Sequence, residues 1–168
     1  MTDMRKTRTN REIFSAFGTL LSNKPFSEIT MIEIAREAQV HRNTIYKHFV
    51  DKYDLLRKFV YSELGSNEEL IKIFVETPFK AIAELYQYEF SSIIQRQKSD
   101  PEFNLIVQES AVRLLYQRNE DDDILWQLGT ISSIFLWNEL HGDKFDFLAD
   151  YKVLDQIYQK REFPKLEQ

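Results

Sequence analysis

The chain of 168 residues has no cysteine, only four glycines, four prolines and three histidines. Each shortage excludes something. Without cysteine there can be no disulfide, thiolate zinc site or cysteine nucleophile, and the composition suits a reducing cytoplasm. So few glycines and prolines leave little punctuation for hairpins, and those present fall between helix-period stretches, which predicts an all-α chain. Of the histidines, His41 and His48 share one short segment and His141 stands apart, leaving little for catalysis. No glycine-rich phosphate loop or nucleophile motif is present. Asp121, Asp122 and Asp123 are consecutive, so they do not converge on one ion, and they suit a helix N-terminus instead. Neither an enzyme nor a cofactor is expected. No apolar run approaches the roughly 20 residues that span a bilayer. Met1 to Lys24 carries charge throughout rather than a secretory core, so a soluble cytoplasmic protein is expected.

What the chain does contain is a packed composition, 43% hydrophobic and 29% charged, enough for one domain or two small ones. The net charge of −5 is unevenly spread. Residues 1–60 hold 11 Lys+Arg against 7 Asp+Glu, and residues 61–168 hold 11 against 20, or +4 and −9. A basic head on an acidic body makes the head the part suited to phosphates.

Helix starts are marked repeatedly by capping boxes. Thr9 with Glu12 opens a helix whose buried stripe is Ile13, Ala16, Phe17, Leu20 and Leu21, ended by Asn23 and Pro25. Thr30 with Glu33 opens a second, with Ile34, Ala35 and Ala38 inward. A turn at Gln39 and Val40 leads to a third from about His41 to Phe49. Asp51 and Asp54 cap a fourth, with Leu55, Leu56, Phe59, Val60 and Leu64 on its apolar side. Beyond Gly65 the helices lengthen: Ser66 with Glu69 opens one, and Thr77-Pro78 and Asp100-Pro101 predict helices at roughly 78–98 and 101–118. The last two are predicted at about 124–140 and 145–160.

Thr30 to Phe49 is the segment that carries chemistry. At about 100° per residue, Ile45 and Phe49 point to the core while Asn43 and Lys47 point away, flanked by Thr44 and Tyr46. Asparagine bonds bidentately to adenine, lysine reaches guanine O6 and N7, and the threonine methyl meets that of thymine. Tyr46 and His48 have polar tips suited to phosphate oxygens. Lys52 opens the next helix, where its charge and free amides suit another phosphate. Arg5, Lys6 and Arg8 form an N-terminal arm expected to be disordered alone and to add phosphate or minor-groove contacts. The bland alternative is a solvated terminus.

Residues 9–64 resemble the DNA-binding domain of the TetR family of transcriptional regulators. The resemblance lies in Thr30, Ile34, Ala35, Ala38, Val40, Thr44, Tyr46, His48 and Phe49, then Lys52, Leu55 and Leu56. It implies a three-helix helix-turn-helix head at 1–64, with the motif at about 30–49, and a helical effector-binding and dimerisation body at 65–168. Thr30, Arg42, Asn43, Thr44, Tyr46, Lys47, His48 and Lys52 would then meet double-stranded operator DNA. The resemblance further implies a homodimer and a repressor released by an unknown small-molecule or protein effector. The dimer surface is expected to include Leu128, Phe135, Leu136, Leu154, Ile157 and Tyr158. Tyr86, Phe90, Phe103, Tyr116, Trp126 and Trp137 are aromatic candidates for an effector pocket. Where the family has glycine and serine around the turn, this chain has Gln39 and His41, a strained residue and a poorer cap. The alternative reading is a helical protein-interaction module, controlled by a protein partner rather than a small ligand.

Overall fold

The computed structural model describes residues 2–65, 68–87, 91–119 and 122–165; the side chains of 2–6, 86, 87, 91 and 119 lie outside that description. The described residues form helices, with no strand among them. In order these are α1 (Thr2–Asn23), a single 3-10 turn (Phe26–Glu28), α2 (Met31–Glu37), α3 (Arg42–His48) and α4 (Lys52–Gly65). There follow α5 (Glu68–Glu76), α6 (Pro78–Gln87), α7 (Ser91–Gln97), α8 (Pro101–Asn119), α9 (Asp123–Leu140) and α10 (Tyr151–Lys160). They sort into two compact units. One comprises residues 1–63 with 91–111, the other 64–90 with 112–168.

The first unit is built on α1, against which α2 and α7 pack. Of the expected stripe, Ile13, Ala16, Phe17 and Leu21 are buried and Leu20 is half-buried. Phe17 meets Phe26 and Phe59 edge-on, and Phe14 contacts both Phe49 and Phe59. The start of α1 differs from expectation. Glu12 does not close a box on Thr9 but accepts from Arg8 Nε at 2.9 Å, one turn back, and the helix extends to Thr2. No glycine or proline interrupts residues 2–8, so the turn continues through them. The basic arm expected to be disordered is part of α1; the side chains of Arg5 and Lys6 lie outside the described residues.

The second unit has a core of Phe79, Ile131, Ile134, Leu154 and Ile157, with Phe74, Leu128, Phe135, Phe145, Phe147, Tyr151 and Tyr158 against it. Helix α10 packs on α6 and α9, and α5 on α6. Of the expected helix at 78–98, α6 and α7 are described and fall in different units; residues 88–90 between them lie outside the described residues. Thr77 stands at the start of α6, but its hydroxyl turns back to the Ile73 carbonyl. The open amides are capped from a distance instead: Phe79 N–H and Lys80 N–H donate to the two oxygens of Asp155 at 2.9 and 3.0 Å. Burial pushes this carboxyl above its ordinary range, opposed by the two amides. Ser66, of the box expected to open α5, lies outside the described residues.

The last helix begins at Tyr151, not Phe145. Residues 143–150 form turns in which Asp146 accepts from Leu148 N–H and Ala149 N–H, both at 2.8 Å. Aspartate bonding its own downstream amides competes with a helix. Phe145 is held by the buried Asn138, whose amide donates to the Phe145 carbonyl and accepts from its N–H, both at 2.9 Å. Asn138→Ala would strand both backbone groups. It is expected to destabilise the protein by about 2–4 kcal/mol, measured by denaturant unfolding.

Candidate nucleic-acid interface

The two short helices between Thr30 and Phe49 are defined by their ends. Thr30 Oγ1 accepts from Glu33 N–H at 3.3 Å, while a Glu33 oxygen accepts from Thr30 N–H at 2.9 Å, the expected reciprocal box. Lys24 Nζ lies 2.7 Å from the other Glu33 oxygen. These bonds, that from Lys24 first, hold the Glu33 carboxyl down from 4.5 to about 2. At the far end Val40 N–H donates to the Ala35 carbonyl and Gln39 N–H to that of Arg36. This pair of bonds is the Schellman closure, which needs a left-handed residue between helix and exit. Gln39 supplies it at φ 54°. His41 is a working cap: its Nδ1 accepts from Asn43 N–H at 3.2 Å.

Helix α3 is anchored on its inner side by Ile45 and Phe49, 0% and 2% exposed. Its C-terminus is braced by Lys58, which donates to the His48 carbonyl and lies over the Phe49 ring. Asp51 and Asp54 then close the turn into α4, accepting from Asp54 N–H at 2.7 Å and Val50 N–H at 3.0 Å.

The eight residues predicted to meet DNA divide into two groups. Arg42, Asn43, Tyr46 and Lys47 are exposed on α3, Thr44 is half-buried beside them, and Thr30 is exposed at the start of α2. The Arg42 guanidinium sits 5.8 Å from the Tyr46 ring centroid, so the pair forms a stacked ledge. His48 and Lys52 are engaged inward. His48 Nδ1 lies 2.6 Å from Asn10 Oδ1, tying α3 to α1. Lys52 Nζ donates to the carbonyls of Phe26 and Ser27, each at 3.1 Å, and lies 4.6 Å from the Phe26 ring centroid. Lys52 thus braces the turn before α2. Its charge adds to the local field without pointing freely outward. The partners Asn10 and Lys58 escaped sequence reasoning, since nothing local marks a residue that meets another ten or more positions away.

Among the described residues, the aromatics named as pocket walls do not gather. Phe103 is buried in the first unit against Phe26. Tyr116 is exposed and donates to Asp122. Trp137 stacks on His141, Phe145 and Phe163. Tyr86, by its side chain, and Phe90 lie outside the described residues. Trp126 does line a cleft of about 390 Å³, with Gly129, Thr130, Ser133, Ile134, Ile157, Arg161, Glu162 and Phe163. Of the residues named for a dimer surface, Leu154 and Ile157 are buried in their own unit's core, and Leu128, Phe135 and Tyr158 pack against it. The 18-residue α9 needs one side for that core. Its opposite side exposes Leu125, Trp126, Leu136 and Leu140.

Residues 13–59 match the sequence profile described as "Bacterial regulatory proteins, tetR family". An uncharacterized HTH-type transcriptional regulator of Haemophilus influenzae is 35% identical over 60 residues, 34% of this chain and 32% of that protein, so the match spans about a third of the relative. Among solved structures, the fatty acid degradation regulator FadR of Bacillus halodurans aligns over 89% of this chain and 94% of its own, at 20% identity and a TM-score of 0.49. The transcriptional regulator FadR of Bacillus subtilis, solved in complex with stearoyl-CoA, aligns over 88% and 96%, at 19% identity and a TM-score of 0.48.

Two measurements check this local geometry. Gln39→Gly removes the left-handed strain, at the entropic cost of a glycine, and is expected to stabilise the head by about 0.5–1 kcal/mol in thermal unfolding. Glu33, with its folded-state carboxyl depressed to about 2 from 4.5, favours the folded head above pH 4.5. That contribution is lost as pH falls from 4.5 through 2, so Glu33→Gln is expected to flatten an acid titration of the melting temperature over that window.

Proposed function

We propose that the chain, whose residues 13–59 match the tetR-family profile, is a transcriptional regulator that binds a specific, near-palindromic operator as a homodimer. The observation that carries this reading is the attitude of α3: Ile45 and Phe49 are buried while Arg42, Asn43, Tyr46 and Lys47 are exposed. Asn43 reads adenine, Lys47 and Arg42 read guanine, and Thr44 adds a methyl contact. Thr30 and Tyr46 bond phosphate oxygens and fix the register. The excess of positive charge in residues 1–60 draws the head to the duplex, and the negative body stays off it.

A dimer is supported by the outer side of α9. Leu125, Gly129, Ser132, Leu136 and Leu140 recur at helical spacing and are all exposed, Leu140 at 73%. Small residues at its centre let a second copy approach, and an isologous contact places two heads about one helical turn apart or a multiple of it. The protein works as a cytoplasmic repressor, by binding rather than by catalysis. An effector lowers operator affinity only by favouring the body conformation in which the two heads are wrongly spaced. The cleft beside Trp126 is the candidate effector site among the described residues.

Selection from a random DNA pool tests the reading. A defined palindromic site is expected, with Asn43→Ala and Lys47→Ala each weakening it about 10- to 100-fold. Leu136→Glu is expected to shift the protein to monomer in sedimentation and to abolish operator binding. A pool that yields no sequence, from folded protein, would favour the protein-interaction module.

A further inference from the structure

The turn between α1 and α2 is gripped by two buried polar side chains from a distant stretch of chain. Gln97, the last residue of α7, is fully buried. Its Nε2 donates to the carbonyls of Leu21 and Lys24, and its Oε1 accepts from Phe26 N–H at 2.8 Å. Asp100 is also buried. One of its oxygens caps α8 by accepting from Phe103 N–H at 3.0 Å, and the other accepts from Ser27 N–H at 2.8 Å.

The other side of the turn holds the reading machinery. The carbonyls of Phe26 and Ser27 receive Lys52, the first residue of α4. Lys24 bonds Glu33, whose carboxylate closes the α2 cap. Residues 24–27 therefore join the end of α1, the start of α2, the start of α4 and the α7–α8 corner. Thr30, where α2 begins, follows only three residues after Ser27, so a fixed turn leaves α2 little freedom of direction. Helix α3 packs on α2 and inherits its attitude.

We propose that Gln97 and Asp100 are positioning residues for DNA reading, which set the angle at which α2 and α3 meet the duplex although neither touches it. The proposal rests on the operator-binding reading above. A displacement of the α7–α8 corner drags the turn or breaks one of its bonds, and either tilts the reading helix. The corner is thereby a point at which operator affinity is adjusted without altering any DNA-facing side chain.

The full-length protein tests this with two variants on the selected operator. Asp100→Ser keeps an oxygen for Phe103 N–H but is too short to span to Ser27 as well. Gln97→Glu keeps an oxygen for Phe26 N–H but loses both N–H donors to the Leu21 and Lys24 carbonyls. With melting curves showing both folded at the assay temperature, each variant is expected to weaken binding about tenfold. The double variant should lose less than the product of the two effects, because both act through one turn. The ratio of affinities for the selected operator and for one with a base pair inserted between half-sites should fall in each variant. A purely structural role would leave that ratio unmoved. If Asp100→Ser does not fold, the spacing ratio of Gln97→Glu decides. Wild-type affinity and spacing preference in folded variants would overturn the proposal. So would fully additive effects of the two substitutions, which would mean that they do not act through one turn. Failure of the wild-type protein to select any operator would remove the regulator reading itself, and the proposal with it.

Discussion

A helix of seven residues cannot sustain itself in water, where isolated helices shorter than about 12–15 residues are marginal. Helix α3 exists because Ile45 and Phe49 are buried, Phe49 against Phe14 of α1 and beneath Lys58 of α4. Everything the head presents to the outside follows from that anchorage. Once those two side chains are fixed, helical geometry leaves Asn43 and Lys47 no direction but outward. Caps add the remaining definition: His41 at one end, Lys58 and the His48–Asn10 contact at the other.

Buried polar side chains are the second organising device, and each closes a backbone gap that its own segment leaves open. Gln97 and Asp100 satisfy the turn before α2, Asn138 satisfies Phe145, and Asp155 satisfies the open end of α6. A buried amide or carbonyl without a partner costs about 1–3 kcal/mol, so these side chains fix conformation as well as hold it. Apolar packing tolerates sliding, whereas a two-ended hydrogen bond does not.

Much of the head was legible because its signals are local. A capping box spans four residues, an amphipathic stripe repeats every three or four, and both sit on contiguous sequence. Thr30 with Glu33, Asp51 with Asp54, and the buried pair Ile45 and Phe49 were read correctly on that basis. The failures share the opposite property. Thr9 with Glu12 had the pattern of a cap, yet nothing upstream stopped the helix, and Arg8 took the glutamate. Leu154 and Ile157 were apolar enough for a dimer surface, but apolarity alone does not say which molecule covers it. Of the described aromatic residues of the body, only Trp126 lines a cleft, and apolarity alone did not single it out.

The sequence by itself determined the helical class, the break points around Gly, Pro and Asp, and the short helix before Phe49 with its inner and outer faces. These depend on backbone preferences and on side chains within one or two turns of each other. Only the tertiary structure decided that residues 91–111 join the first unit, that Lys52 faces inward, and that Gln97, Asp100 and Asp155 are clamps. Their partners lie 71 to 76 positions away along the chain. A bond across that separation is set by how helices stack, and it leaves no periodicity in the sequence to be read.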